Sequence, residues 1–443
     1  MLAVVLALTV IFTVLVFAKP KLWLTVYLVM MPIAPQVAIG NIPLSPTEPV
    51  LAAAILSIFC NKVFRRDLKV AWAPLFIPTG LFVIMLFFSS INAWALWGPK
   101  MGLISMMKFI RIAEAFAAMY LAAELWRSTD DKNTGKLFKW ILIGVIGAAV
   151  LGLISIWKID WFFTLYKAED NYGFQIWVPG LVIWRAIGVF LDPNHLSSYL
   201  SMGILLALVL SVKSKIPVNR FLIICTLVIG SIALLLTFSR AGWLSLFIST
   251  VVYVSISKDL KRTRKIQILS SIGAFIVLGI AVIYLAFPDM SLGLLNRVLD
   301  TFDQASAGDW NAVTSTRLTV WQTGIAEFCK FPIFGIGYKC LPELFLMGDN
   351  NYLTMLAECG LIGAGIWLVW LLSVSVYLYN LAKRHWIGEY ILAVWAGLVI
   401  NMATADIMTY WRTLPLFFGL LGVSFAFARK PEIPPAELVA NIE

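Results

Sequence analysis

Apolar blocks about as long as a bilayer is thick recur from the first residues of this 443-residue chain almost to its last, and no other feature constrains its fold so tightly. A helix rises 1.5 Å per residue, so roughly 20 residues cross a hydrocarbon core about 30 Å thick. Spans are expected near 2–18, 22–38, 47–61, 71–91, 104–124, 138–157, 194–212, 219–237, 242–257, 266–287, 351–380, 388–408 and 411–428. The fold class is therefore all-α, a polytopic transmembrane bundle of about 12–13 spans with a large, partly helical outward-facing loop. Composition agrees, with 61% hydrophobic and 13% charged residues, where a soluble domain carries about 25% charged. The first block has no basic residue ahead of it and no small-residue cleavage site after it, so it reads as a retained span.

Charge orients the bundle. Lys19 and Lys21, Lys62, Arg65, Arg66 and Lys69, Arg127, Lys132 and Lys136, Lys213 and Lys215, 258–265, Lys383 and Arg384, and Arg429 and Lys430 fall in alternate loops. The positive-inside rule makes those loops cytoplasmic. The net charge of +10 then reflects topology and gives no reason to expect nucleic acid as a partner. Residues 1–428 form one membrane domain, and 429–443, rich in proline, form a cytoplasmic tail.

Two stretches break the pattern of spans, 158–193 and 288–350, and the topology puts both outside. Both are rich in aromatic residues, a composition suited to folded segments at the membrane interface rather than to disorder. Within the second, Leu318, Trp321, Ile325 and Phe328 recur with a helical period over 316–329, and Pro332 ends that helix. Neither the cysteines nor His195 and His385, the two histidines, show metal-ligand spacing, so no metal or cofactor is expected. A disulfide between Cys329 and Cys340 stays open at this level of reading.

Arginine is the residue a bilayer tolerates least, and Arg185, Arg240 and Arg317 each stand beside a span, away from the basic clusters. Snorkelling to the interface accounts for any one of them; three together suggest a site that holds an anion at the membrane surface. Arg240 sits in a polar break, Thr237-Phe238-Ser239-Arg240-Ala241-Gly242, at the turn between two spans. There either the next helix offers its amides to an anion beside Arg240, or Ser239 caps that helix and Arg240 snorkels, and both readings stand. Arg185 precedes Asp192-Pro193-Asn194-His195, a turn into a helix in which His195 reads more readily as a satisfied interfacial residue than as a catalyst. Arg317 and Trp321 are followed by Asp349, Asn350 and Tyr352 where the chain re-enters the membrane. Asp349 is either a helix cap or a general base. Lys108, Arg111 and Glu114, spaced along one helix, read as structural or as headgroup contacts.

In these residues the chain resembles the O-antigen ligase and O-antigen polymerase (Wzy-like) superfamily of bacterial polysaccharide enzymes. Ser239-Arg240-Ala241-Gly242 is similar to its Ser-Arg-Gly/Ala element between two spans. Arg317, Trp321 and the run from Pro332 to Gly337 are similar to its Arg, Trp and Pro-Leu/Ile-Phe-Gly-x-Gly elements. Pro193-Asn194 precedes a middle span, and the run from Asn350 to Gly360 follows the pattern Asn-x-Tyr-Leu-x-x-Leu-x-Glu-x-Gly. The family histidine before that run is Asp349 here, which weakens the narrower reading as a lipopolysaccharide ligase.

The resemblance implies metal-independent, inverting transfer of a glycan from undecaprenyl diphosphate to a hydroxyl on a glycan or lipid acceptor, at the outer face of the bacterial inner membrane. Arg240 and Arg317, with Arg185, would hold the diphosphate, and Asp349 would take the acceptor proton. Asn194, His195, Trp321, Asn350 and Tyr352 would line the substrate site. Membrane lipids and envelope-assembly proteins are the expected partners. Two rival readings are a transporter or flippase of lipid-linked oligosaccharide and a non-catalytic scaffold. A transporter is expected to carry central charges across repeated halves, and the chain shows no internal repeat.

Overall fold

The computed structural model describes residues 2–35, 37–39, 42–64, 66, 75–126, 130–157, 175–178, 181–213, 216–268, 270, 306, 308, 317–345, 350–407 and 412–428. Backbone groups in lipid have no water to bond, so apolar runs satisfy them internally as helices. The helices are α1 Leu2–Ala18, α2 Trp23–Met30, α3 Thr47–Phe64, α4 Phe76–Leu125, α5 Asp131–Ile156, α6 Pro193–Val212, α7 Arg220–Leu236, α8 Arg240–Ile256, α9 Arg317–Lys330, α10 Cys340–Phe345, α11 Asn351–Ala382, α12 Trp386–Asn401 and α13 Leu414–Ala428. Among the described residues two short antiparallel hairpins accompany them: β1 Val37–Ile39 with β2 Ile42–Leu44, and β3 Gln175–Val178 with β4 Leu181–Trp184. The protein is thus an all-α polytopic bundle. Among the described residues five helices, α3, α4, α5, α6 and α11, are long and apolar enough to cross a membrane, and shorter apolar helices fill in between.

The expected spans 71–91 and 104–124 are one element, α4, folded back on itself. Its backbone leaves helical geometry at Gly98, where φ is +82°, and Pro99 follows. Ring pairs Phe76–Tyr120 at 5.6 Å, Phe82–Phe116 at 5.9 Å and Phe87–Phe109 at 5.6 Å lie about equally far from Gly98 on either side, as two antiparallel legs require. The expected span 22–38 shortens to α2, and the chain then turns into β1 and β2. Buried Arg412 caps the end of α2, its Nη1 donating to the Met31 carbonyl at 3.2 Å and the Ala34 carbonyl at 3.0 Å. The expected span 388–408 ends at Asn401, and short-range backbone bonds carry the chain through a turn to Asp406. The tail 429–443 and most of 266–287 lie outside the described residues.

At the heart of the bundle is α6: 78% of its apolar window is buried inside the protein, against 33% to 50% for the other four long helices. Beside it an aromatic core joins α4, α11, α12 and α13, with Phe82 stacked on Trp370 at 5.2 Å, Trp395 on Phe417 at 5.1 Å and Phe116 against Phe418 at 4.7 Å. The basic loops meet at one end, where Lys62 pairs with Glu124 at 3.2 Å, Lys213 pairs with Asp259, and Lys258 Nζ donates to the Lys383 carbonyl at 2.8 Å. Helices α6, α8 and α11 run toward that basic end, so their N-termini share the opposite one.

Candidate functional site

At the end away from the basic loops, α6 begins with Asp192 as its cap, the carboxylate accepting from the backbone N–H of Asn194 at 2.6 Å and of His195 at 3.2 Å. Helix α8 begins in the same way with Ser239, whose Oγ accepts from Gly242 N–H at 3.2 Å and donates to Asn194 Oδ1 at 2.8 Å. The two helix starts are therefore locked together. A Cβ on Gly242 would lie 2.2 Å from Ser197 Oγ, so only glycine lets α8 approach α6 this closely. Upstream, Ala186 N–H bonds to the Leu236 carbonyl at 2.9 Å and Arg185 Nε to the Thr237 carbonyl at 2.7 Å, which draws Arg185 against the turn that carries Arg240. Arg185 is half-buried and Arg240 is exposed on the first turn of α8.

A third helix start joins them. Asn350 caps α11, its Oδ1 accepting from Tyr352 N–H at 2.9 Å and Leu353 N–H at 3.2 Å. Fully buried Asn351 donates from Nδ2 to Asp406 Oδ1 and accepts the Ile407 N–H at 2.9 Å. Lys339 Nζ pairs with the other Asp406 oxygen. The Asp406 main-chain carbonyl lies 3.2 Å from His195 Nε2, and because a carbonyl only accepts, the ring carries its proton on Nε2 in this arrangement. Thr413, just before α13, donates to the His195 carbonyl at 3.4 Å, which adds a fourth helix start. Hydrogen bonds thus unite the N-termini of α6, α8, α11 and α13, each carrying the positive end of a helix dipole.

The glycine-rich run 332–337 is a clamp. Its Ile336 and Gly337 N–H groups donate to the Ala357 and Glu358 carbonyls at 2.9 Å, and Leu361 N–H returns to the Pro332 carbonyl at 2.8 Å. Gly360, with φ at +65°, breaks α11 at this point, and a Cβ there would meet the Ile333 carbonyl oxygen at 2.3 Å. The α4 hairpin holds the other side of the run through Asn92 Nδ2 to the Gly335 carbonyl at 2.9 Å, Trp97 Nε1 to the Ile336 carbonyl at 2.8 Å and Ser105 Oγ to the Tyr338 carbonyl at 2.6 Å. Buried Glu358 accepts from Leu341 N–H at 3.2 Å at the start of α10. The two motif elements 332–337 and 350–360 therefore fold as one unit that presents Lys339 and Asn351 side by side.

Of the residues singled out in the sequence, Asn194 and His195 take part in this network directly, Asn350 caps one of its helices, and Arg185 and Arg240 adjoin it at the turn into α8. Tyr352 lies beside it with its hydroxyl donating to the Val399 carbonyl at 2.9 Å and its ring against Trp367, so it ties α11 to α12. Helix α9 packs on α11 and carries Trp321, half-buried. Arg317 is the first residue of α9; its side chain and the whole of Asp349 lie outside the described residues. Lys108 pairs with Glu343 of α10 at 3.4 Å, and Arg111 faces Glu48 and Glu114, in keeping with a structural part for that group.

Sequence reasoning missed Lys339 and Asp406. Asp406 was hidden inside an expected span, and Lys339 carried no motif signal beyond following two glycines. All five cysteines are free, and burial pushes the Cys340 thiol up to about 12, with the nearby Glu358 carboxylate adding to the shift.

No curated protein matches the chain. Residues 225–368 match the family model described as O-antigen ligase (Wzy_C), a stretch that covers less than half of the chain and runs from within α7 to within α11. That stretch contains Ser239, Arg240, Arg317, Trp321, the clamp 332–337 and the start of α11, and its match supports the O-antigen ligase/polymerase superfamily as the family this chain resembles.

Proposed function

We propose that the protein transfers a glycan from undecaprenyl diphosphate to an acceptor hydroxyl, as a polysaccharide polymerase or ligase working at the outer face of the bacterial inner membrane. The observation that carries this reading is the union of four helix N-termini beside Arg185 and Arg240. Side-chain caps take up the first N–H groups of α6, α8 and α11, so what these starts bring to an anion is the positive end of each dipole, while guanidinium matches phosphate oxygens two at a time. A diphosphate at headgroup level is an anion suited to that surface. The Wzy_C match supports the same chemistry.

In this reading the acceptor oxygen attacks the anomeric carbon and the bond to the diphosphate oxygen breaks with inversion. The hydroxyl proton passes to the Asp349 carboxylate, and the charge left on undecaprenyl diphosphate is balanced by Arg240 and Arg317, with Arg185 behind them. Asn194 and His195 shape the floor of the site, Trp321 offers a ring face to a sugar, and Asn350 and Tyr352 hold the α11 side. The transfer needs no metal.

Arg240→Ala and Arg317→Ala in purified protein given lipid-linked donor are each expected to lower transfer by about 100-fold or more, the order seen when one charge-stabilising donor is removed. Asp349→Asn should act similarly on turnover. Transfer that survives both arginine changes would remove these residues from the site, and a protein that only moves donor across vesicles would replace the enzyme with a transporter.

A further inference from the structure

Asp406 lies outside the stretch that matches the family, between α12 and α13, yet it bonds to α6, to the start of α11 and to Lys339. One carboxylate oxygen accepts from Asn351 at the start of α11, the other from Lys339 ahead of α10, and its carbonyl accepts from His195 on α6. The neighbouring Ile407 N–H and Met402 carbonyl complete the grip on Asn351, at 2.9 Å and 2.8 Å. Side-chain exposure is 10% for Lys339 and 16% for Asp406. Removing two charges from water costs about what their attraction returns, so such a pair contributes directional restraint more than stability.

The backbone gives a second, independent sign. Lys339 has φ at +60°, Leu191 at +55° and Phe238 at +50°, three of the four non-glycine residues in the left-handed region among those described. Leu191 and Phe238 immediately precede the caps of α6 and α8, and Lys339, which pairs with Asp406, immediately precedes α10. Conformations of that kind persist only where the surroundings over-determine them, and they gather at functional sites.

We propose that Asp406, neutralised by Lys339, is the positioning residue of the transfer site: it locks the start of α11 against α6, so that the acceptor side keeps its geometry relative to Arg185 and Arg240. Lys339 also keeps this carboxylate from adding net negative charge beside the phosphates of the donor. This inference rests on the proposed transfer reaction and adds a residue to its machinery.

The test uses the full chain in lipid nanodiscs, with Asp406→Asn, Asp406→Glu, Lys339→Met and the Asn/Met double variant. Asp406→Asn should speed backbone hydrogen exchange at 351–354 by about tenfold or more while α7 and the core of α12 stay protected. It should cut kcat by roughly 100-fold with the donor KM within about threefold, since positioning acts on the transition state rather than on binding. Asp406→Glu should recover part of kcat, and the double variant should be no worse than Asp406→Asn, because the two residues act as one unit. Unchanged exchange overturns the proposal. So does faster local exchange with turnover intact, and so does a loss of protection throughout the bundle, which would mark a merely structural role. A wild-type protein that transfers nothing would reject the proposed function alone, and exchange at 351–354 would still decide whether Asp406 is the lock.

Discussion

Ser239 shows how a capping residue can also join two elements. The sequence offers it as the cap of the helix that follows; its oxygen caps α8 through Gly242 and its hydroxyl also bonds Asn194, so the capping residue is what joins two motif elements. Gly242 is legible as a motif position, but its reason, a Cβ clash with Ser197, requires the packing of α6. Gly242→Val should force α8 away from α6, at a cost of about 1–3 kcal/mol as for other overpacked contacts, seen as a lower melting temperature in detergent together with loss of transfer. The cysteines separate just as cleanly. With its thiol pushed up to about 12 by burial, Cys340 holds almost no thiolate below that pH, so alkylating reagents at pH 8 should leave it untouched while exposed Cys329 reacts. Modification of Cys340 at a rate equal to that of Cys329 would contradict the packing of α10.

Among the elements, hydropathy placed most spans to within a few residues because lipid leaves an apolar run little choice but helix. It erred where a turn is itself apolar. The run Met402-Ala403-Thr404-Ala405 carries no charge until Asp406, so a hydropathy window extends α12 through it and buries the one acidic residue that matters most. The α4 hairpin was legible as two spans, with Gly98-Pro99 the mark of the turn. The clamp of 332–337 on α11 was legible only in part: the glycines announced tight turns, but not that they close onto Gly360, 23 or more positions further along. Gly360→Ala tests that element. It adds a Cβ at 2.3 Å from the Ile333 carbonyl oxygen and at a left-handed φ, and should cost about 2 kcal/mol or more while raising hydrogen exchange over 335–337. A neutral effect would mean the clamp does not hold the site.

Across the whole molecule, the basic loops occupy one end and the joined helix starts the other, so a single polar surface faces away from the positive side of the bundle. Topology and the proposed chemistry therefore make one connected claim: an anionic lipid-linked donor would meet cationic residues and helix starts at the opposite end, and undecaprenyl diphosphate would leave once its glycan has passed to the acceptor. The most direct measurement is transfer by the purified chain in nanodiscs, supplied with a defined undecaprenyl-diphosphate repeat unit, with released undecaprenyl diphosphate counted and the new glycosidic bond assigned by NMR. One diphosphate released per bond formed, with the anomeric configuration inverted, is the result this account predicts. Retention of configuration, or donor that crosses the membrane with no bond formed, would contradict it.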